Sequence, residues 1–351
     1  MVAGITGRRL VSEVPAALAQ ILGLEANAVR VQREMGETVD LVLEAAGQTF
    51  VVECKTPANV GPIEAAARKA TEYARRYKRG ALPMIAVPYM GEGGKRVCED
   101  ARVAWLDLSG NARIITPRLR VIVDGRPNRF KSPGRPSSLF APKSSRVARW
   151  LLMHTEHPFT QRELARSTNV GEGFVSRIVS GLKTDGYVIR DPNGTIRVKD
   201  PQLLLDAWRD VYHFSRHTLI QGHVTARSGD ALTRRVAQVF RDQGVEHAAT
   251  GLAAAWQFTR FAVFRIATFY VASHPTEAQL MQLGFREDER GANLWIAVPN
   301  DEGVFQGASM IREVSCVHPV QAYLDLQEHP ERSAEAADQL KSEYLRWARH
   351  A

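Results

Sequence analysis

The sequence predicts a multidomain α/β protein: an α/β core, a small helical domain that ends in a β-hairpin, and a mixed α/β domain. Three observations support this fold class. The first 125 residues alternate between apolar segments with helical and with strand periodicity. Residues 144–201 show helical patterns followed by two strands about Asn193-Gly194. Residues 126–143 are rich in Pro, Ser, Gly and Arg and lack apolar periodicity, as is typical of a linker.

The composition is that of an ordinary globular protein. A chain of 351 residues is long enough for two or three domains. Three scattered cysteines exclude a disulfide framework and match no zinc-ligand spacing, so we expect a reducing compartment. The start, MVAGITGRRLVSEVP, lacks the apolar core of a signal peptide, and Arg260 and Arg265 interrupt the most apolar later stretch. The sequence therefore predicts a cytoplasmic protein without a membrane span.

The first part begins with a helix followed by three strands. Leu10, Val14 and Leu18 give residues 9–22 the apolar face of a helix. Two strands flank the polar turn 44–48, where Ala46-Gly47 supplies the bend of a β-hairpin. The predicted strands are 28–32, 39–43, 49–52, 84–87, 105–115 and 119–123, and the later helices are 59–78 and 95–103.

Asp40, Glu53 and Lys55 carry the chemistry predicted for this part. Side chains alternate across a strand, so Glu53 and Lys55 share one face, and Asp40 begins the partner strand beside them. Two carboxylates offer the hard oxygen ligands that Mg²⁺ prefers, and the Cys54 carbonyl would complete the shell. The metal would lower the pKa of a bound water, while Lys55 would orient that water or offset transition-state charge. The competing interpretation is an exposed hairpin with three surface charges.

This arrangement resembles the Asp…Glu-x-Lys signature of the PD-(D/E)XK restriction-endonuclease-like superfamily. The resemblance implies an α-β-β-β-α-β core, which is the element order predicted above. It implies the catalytic residues Asp40, Glu53 and Lys55, with Mg²⁺ held by Asp40, Glu53 and Cys54. The helix residues Glu13 and Glu64 are either extra metal ligands or ordinary solvated charges.

Positive charge is concentrated around the linker. Residues 111–150 hold ten Lys and Arg residues and a single acid, Asp124, whereas the whole chain has a net charge of +8. Such a segment is typical either of contact with a phosphate backbone or of a solvated linker. The linker residues predicted to contact DNA are Arg126, Arg129, Lys131 and Arg135.

Residues 144–201 are predicted to form a winged helix. After a first helix, the capping box Thr160-Gln161-Arg162-Glu163 opens a short second helix. A turn at 169–171 leads into a helix at 172–183, and a hairpin about Asn193-Gly194 forms the wing. In such a domain the outward side of the last helix enters the major groove and the wing contacts phosphates. The predicted DNA-binding residues are Ser176, Arg177, Ser180 and Lys183 on the helix and Arg190 and Arg197 on the wing.

The C-terminal part, residues 202–351, is predicted to be a mixed α/β domain without a recognisable catalytic motif. Its histidines show no metal-binding spacing. Asp288 and Asp301 are loop acids without an evident partner. The predicted elements are helices at 251–256, 319–327 and 333–347 and strands at 261–264, 268–271 and 294–298.

Four segments occur in an order that extends a resemblance over nearly the whole chain: WLDLSGNARI (105–114), SLFAPKSSRVARWLL (138–152), NVGEGFVSRIV (169–179) and HPVQAYLDLQ (318–327). Together they resemble the longer bacterial proteins grouped with AbiEi-type antitoxins and regulators. Those proteins join a nuclease-like domain to a winged helix and an AbiEi-like C-terminal domain. The resemblance implies a DNA-binding protein with a toxin or defence-system partner protein. The extra N-terminal domain departs from the antitoxins that are paired with nucleotidyltransferase-like toxins.

Two functions follow from these patterns. The first is a DNA-binding regulator, antitoxin or defence-type factor that reads double-stranded DNA through the winged helix. The alternative is a Mg²⁺-dependent DNA endonuclease that uses Asp40, Glu53 and Lys55 and is targeted by the winged helix. A nuclease-like fold does not by itself establish cleavage, and winged helices also mediate protein–protein contacts. Recognition of a palindromic site would imply a homodimer.

Overall fold

The structure is a computed structural model that describes residues 6–32, 39–56, 58–117, 119–130 and 139–347. These residues separate into two compact units. Of the described residues, those within 1–135, 181–187 and 202–210 form the first unit, and those within 136–180, 188–201 and 211–351 form the second. The contacts thus divide the chain differently from the predicted boundaries at 125, 143 and 201. Two later segments pack with the N-terminal residues, which no local pattern in the sequence reveals.

The first unit is built on a seven-stranded sheet with helices on both faces. Its helices are α1 (Gly7–Leu22), α2 (Val60–Tyr77) and α3 (Glu92–Asp100). Its strands are β1 (Arg30–Gln32), β2 (Leu41–Ala45), β3 (Gln48–Cys54), β4 (Leu82–Val87), β5 (Ala104–Asp107), β6 (Ala112–Ile115) and β7 (Arg120–Val123). The strands lie in chain order. β3, β4 and β5 run parallel to one another, and the other neighbouring pairs are antiparallel.

Alternation along the central strands divides the core between the two faces of this sheet. Phe50 packs on the side of α1 with Leu10, whereas Ile85 packs on the side of α2 with Ile63. Glu53 of β3 is in register with Ile85 of β4. Because registered neighbours point to the same face, Glu53 faces α2.

The predicted β2–β3 hairpin is confirmed, and its turn explains the register. Ala46 and Gly47 both have positive φ angles, 50° and 70°, as a two-residue hairpin turn with the native strand twist requires. The hairpin therefore forms where the sequence places it.

The strand predicted at 105–115 is wrong. This segment is two strands, β5 and β6, separated by a turn in which Asp107 accepts the backbone N–H of Asn111 at 2.9 Å.

α3 begins at Glu92, three residues before its predicted start. Gly93 and Gly94 suggest a loop because glycine disfavours helices. In the structure the missing side chain is what lets α3 approach α2, since a Cβ on Gly94 would lie 2.7 Å from the Ile63 side chain. Close packing therefore outweighs local propensity here.

The later part of the chain contains nine helices and nine strands within the described residues. The helices are α4 (Pro142–Met153), α5 (Gln161–Thr168), α6 (Glu172–Thr184), α7 (Pro201–Arg209), α8 (Gly229–Asp242), α9 (Gly251–Thr259), α10 (Glu277–Leu283), α11 (Pro319–Asp325) and α12 (Ser333–Tyr344). The strands are β8 (Val188–Arg190), β9 (Ile196–Val198), β10 (Thr218–His223), β11 (His247–Thr250), β12 (Ala267–Val271), β13 (Arg286–Glu287), β14 (Leu294–Val298), β15 (Ser309–Ile311) and β16 (Val314–Cys316). The end of α6 and nearly all of α7 belong to the first unit.

The predicted mixed α/β architecture of the C-terminal part is confirmed. Its sheet has the strand order β13-β10-β14-β12-β11-β16-β15, and β8 pairs separately with β9. The strand predicted at 261–264 is wrong. Just after that segment, the backbone N–H groups of Arg265 and Ile266 donate to the Glu331 carboxylate at 3.1 and 3.2 Å instead of to a neighbouring strand. Among the described residues, every helix is too short or too polar to serve as a membrane span.

Candidate functional site

The structure brings Asp40, Glu53 and Lys55 together at one end of the β2–β3 hairpin. Lys55 Nζ lies 2.7 Å from Glu53 Oε2 and 3.7 Å from Asp40 Oδ2. Asp40 Oδ2 also accepts the backbone N–H of Cys54 at 2.7 Å. Glu53 is fully buried, whereas the side chains of Lys55 and Asp40 are 29% and 36% exposed. The role of these residues in catalysis stays a prediction.

Sequence reasoning missed a fourth member of this cluster, Lys69 of α2. Its Nζ lies 2.7 Å from Glu53 Oε1, so each carboxylate oxygen of Glu53 contacts one ammonium group. Lys69 is next to the buried Ala70 on α2. Helical periodicity places it at the rim of the buried face, but no spacing relates it to a strand residue. Only the packing of α2 on the sheet joins the two.

The electrostatics of the cluster are those of a closed ion-pair network. Burial lowers the pKa of Lys55, but the hydrogen bond to Glu53 and the charges of Glu53 and Asp40 outweigh it, and the net pKa is raised. Lys55 is therefore an ammonium group at neutral pH and cannot act as a base. Burial raises the pKa of the Cys54 thiol to about 12, so the thiol is protonated and unreactive. Two carboxylates and two ammonium groups leave no net charge.

The predicted Mg²⁺ site of Asp40, Glu53 and the Cys54 carbonyl stays a prediction, and in this structure lysine ammonium groups lie beside its carboxylates. A hard cation needs several oxygen ligands, and both oxygens of Glu53 are already paired with lysines. Within the described part of the chain, no group of three or more His, Cys, Asp or Glu side chains is placed to hold a metal ion.

Glu13 and Glu64 each pair with an arginine of their own helix. Glu13 pairs with Arg9 at 2.7 Å, and Glu64 pairs with Arg68 at 3.2 Å, each on its own helix. Their spacing of four residues is that of ordinary helix ion pairs. These pairs favour the solvated-charge interpretation, and a role as metal ligands stays a prediction.

The predicted helix-turn-helix is formed by α5 and α6, with α4 before it and the β8–β9 hairpin after it. Thr160 Oγ1 accepts the backbone N–H of Glu163 at 3.2 Å, and the Glu163 carboxylate accepts the backbone N–H of Thr160 at 2.7 Å. This capping box fixes the start of α5. Asn169, with φ of 52°, ends it, and α6 begins three residues later. Local sequence signals thus set both ends of α5.

α6 exposes the polar side that the sequence assigns to DNA. Arg177 and Ser180 are exposed and Ser176 is half-buried, while the buried face carries Val175, Ile178 and Val179. The Arg177 guanidinium lies 5.3 Å from the ring centroid of Phe174. A cation held over a ring keeps its donors available to a ligand. Lys183, near the end of the same helix, is exposed.

The wing carries Arg190 on β8 and Arg197 on β9, and both are exposed. Arg197 Nη2 lies 3.2 Å from Asp191 Oδ1, so its charge is partly compensated within the hairpin. A phosphate would have to compete with Asp191 for Arg197. Arg190 is the stronger candidate for phosphate contact on this hairpin.

Two of the basic residues counted at 111–150, Arg146 and Arg149, are buried and do not contribute to an exposed cationic surface. Arg146 makes a bidentate ion pair with Asp301, at 2.7 and 2.8 Å, and a further pair with Glu302 at 2.8 Å. Arg149 is buried and donates to Gln321 at 2.7 Å. Phosphate contact requires exposed guanidinium groups. These two arginines of α4 instead bind residues in the C-terminal part of the second unit. Asp301, for which the sequence shows no evident partner, is therefore paired with Arg146.

Two of the four linker residues assigned to DNA lie within the described chain. Arg126 and Arg129 are exposed. Their backbone is held in place, because the Arg126 N–H donates to Asn111 Oδ1 at 2.7 Å and the Arg129 N–H donates to Ser109 Oγ at 3.2 Å. Lys131 and Arg135 lie outside the described residues.

A buried polar network centred on Asp325 was not predicted from the sequence. The Asp325 carboxylate accepts hydrogen bonds from the hydroxyl groups of Tyr212, Thr250 and Tyr270 and from Gln321 Nε2. The bonds from Tyr270 and Gln321 are 3.0 and 2.8 Å long. Burial raises the pKa of Asp325 to about 6, although the four donors act in the opposite direction. The network joins α11 to β11 and β12. Its members are too far apart in sequence for any motif to relate them.

Two segments of the chain match known protein families. Residues 145–207 match the Crp-like helix-turn-helix domain. Residues 197–346 match the family described as a transcriptional regulator, AbiEi antitoxin, of type IV toxin–antitoxin systems. No curated protein and no solved structure matches the chain. The chain therefore contains a helix-turn-helix domain followed by an AbiEi antitoxin-type domain, and neither match includes the N-terminal α/β region.

Proposed function

We propose that the protein is a transcriptional regulator of the AbiEi antitoxin type that reads double-stranded DNA through α6. The observation that carries the proposal is Arg177, exposed on the polar side of a helix whose other side is buried. The helix lies in the segment that matches a Crp-like helix-turn-helix domain. Arginine is suited to bidentate contact with guanine in the major groove, and Ser176 and Ser180 flank it there.

Exposed cations outside α6 would position the protein on the DNA backbone. Arg190 of the wing and Arg126 and Arg129 after the first sheet are exposed, as phosphate contact requires. Recognition of a palindromic site would make the active form a homodimer. The AbiEi antitoxin-type domain supports a toxin as the protein partner.

Replacing Arg177 by alanine is expected to relax sequence preference. A bidentate base contact contributes about 1–3 kcal/mol of discrimination, so preference at one or two base pairs should fall by roughly 5- to 150-fold. Selection of bound duplexes from a randomised DNA library, followed by sequencing, measures this change. The matched control is Arg227→Ala, an exposed arginine outside the helix-turn-helix, which should select the same motif as the wild type. An unchanged motif in Arg177→Ala would remove this residue from base recognition.

For the first unit we propose a PD-(D/E)XK-like core that is kept for binding rather than cleavage. The order α1, β1, β2, β3, α2, β4, with β3 and β4 parallel, supports the fold. The position of Asp40, Glu53 and Lys55 at one end of the β2–β3 hairpin supports it as well.

DNA cleavage is the second candidate function, and the convergence of Asp40, Glu53 and Lys55 is the observation in its favour. Against it stands the pairing of Glu53 with two lysines. We expect the wild-type protein to leave supercoiled plasmid uncut with Mg²⁺ or Mn²⁺, as it does with EDTA. Cutting that requires the metal and disappears in both Lys55→Ala and Glu53→Gln would establish the endonuclease instead.

A further inference from the structure

We infer that Lys69 takes the place of a divalent cation at the Asp40–Glu53 site and closes that site to metals. Lys69 Nζ lies 2.7 Å from Glu53 Oε1, while Lys55 Nζ lies 2.7 Å from Oε2. Both oxygens of Glu53, the fully buried carboxylate of this cluster, therefore lie against ammonium groups of the chain, although Oε1 makes no hydrogen bond within the described residues and meets Lys69 only as an ion pair. Lys69 belongs to neither the Asp…Glu-x-Lys pattern nor the hairpin, since it reaches the site from α2.

Charge balance explains why this arrangement excludes a metal. A buried carboxylate is costly unless it is paired, and here two ammonium groups supply the same charge as one divalent cation. The two carboxylates and two ammonium groups of the cluster have a net charge of zero. Adding a divalent cation would therefore leave two uncompensated positive charges. One ammonium group must leave before the oxygens of Glu53 can serve as metal ligands.

Lys69, rather than Lys55, is the cation that can be removed without disturbing the strands. Lys55 is shared between Glu53 and Asp40 and directly follows β3. The Lys69 side chain is 48% exposed and reaches Glu53 from the rim of α2. Its loss would free Oε1 of Glu53 and change the cluster from neutral to net negative, which favours a hard cation.

The test is a calorimetric titration of the full chain with MnCl₂. Lys69→Met keeps the aliphatic stem and removes the charge, and it should bind one Mn²⁺ with a dissociation constant lowered by about tenfold or more relative to the wild type. The matched control is Lys78→Met at the end of the same helix, where the lysine lies 3.7 Å from Glu44 instead of Glu53. Lys78→Met should titrate like the wild type. The double variant Lys69→Met/Glu53→Gln should lose the gained site.

Two results would overturn the inference. One is stoichiometric Mn²⁺ binding by the wild type that Glu53→Gln abolishes, because the site would then accept a metal with Lys69 present. The other is equal Mn²⁺ binding by the wild type, Lys69→Met and Lys69→Gln, with circular dichroism showing that all three are folded. The readout does not involve DNA, so it is independent of whether α6 reads a sequence.

Discussion

Replacing Asp325 by leucine is expected to destabilise the second unit by about 3–5 kcal/mol, because several buried donors lose their acceptor at once. Four side chains donate to this carboxylate, from Tyr212, Thr250, Tyr270 and Gln321. Asp325 is 1% exposed, so water cannot replace it. Leucine has the same branched outline, but its methyl groups are larger than the carboxylate oxygens, whose donors lie as close as 2.8 Å, so steric crowding adds to the lost hydrogen bonds.

Urea unfolding followed by circular dichroism measures this effect. The control is Asp288→Leu, which removes an exposed acid whose carboxylate accepts the Arg290 N–H at 2.9 Å in a loop. The control should change the free energy of unfolding by less than about 0.5 kcal/mol, as surface substitutions usually do. Equal shifts in the two variants would mean that the Asp325 network does not stabilise the fold.

Replacing Gly61 by valine is expected to destabilise the first unit by about 2–3 kcal/mol through overpacking against backbone atoms. Gly61 lies in the first turn of α2, and its N–H donates to the Asp185 carbonyl at 2.8 Å. A Cβ at this position would lie 2.9 Å from both the carbon and the oxygen of that carbonyl. A backbone group cannot turn away as a flexible side chain can. The turn after α6 would therefore have to move away from α2.

Thermal and urea unfolding of Gly61→Val test this expectation. Gly173→Ala is the matched control, because it changes a glycine of α6 whose added Cβ would meet nothing within 4 Å. Alanine is the better helix former, so the control should be neutral or stabilise by about 0.5–1 kcal/mol. An unfolding free energy of Gly61→Val equal to that of the wild type would show that the two segments are not held together in solution.

Local chemistry made several features predictable from the sequence. The Ala46-Gly47 turn, the capping box of α5 and the alternation of apolar and polar residues along α6 are short-range patterns with one favoured structure. The approach of Asp40 to Glu53 and Lys55 follows from the same hairpin. The start of α3 was not predictable, because distant packing decides it. The division of residues 105–115 depends on a local turn signal that was missed, since Asp107 accepts the Asn111 N–H four residues on and Gly110 has a positive φ.

The sequence by itself determined the hairpin cluster, the helix-turn-helix and the outward position of Arg177, because each depends on neighbours a few residues apart. Only the tertiary structure decided what surrounds them. It placed Lys69 on the second oxygen of Glu53, and it buried Arg146 and Arg149, which the charge count had included in the basic segment 111–150. The physical reason is that charge in a sequence carries no information about burial or pairing. Those depend on which helix face meets which strand.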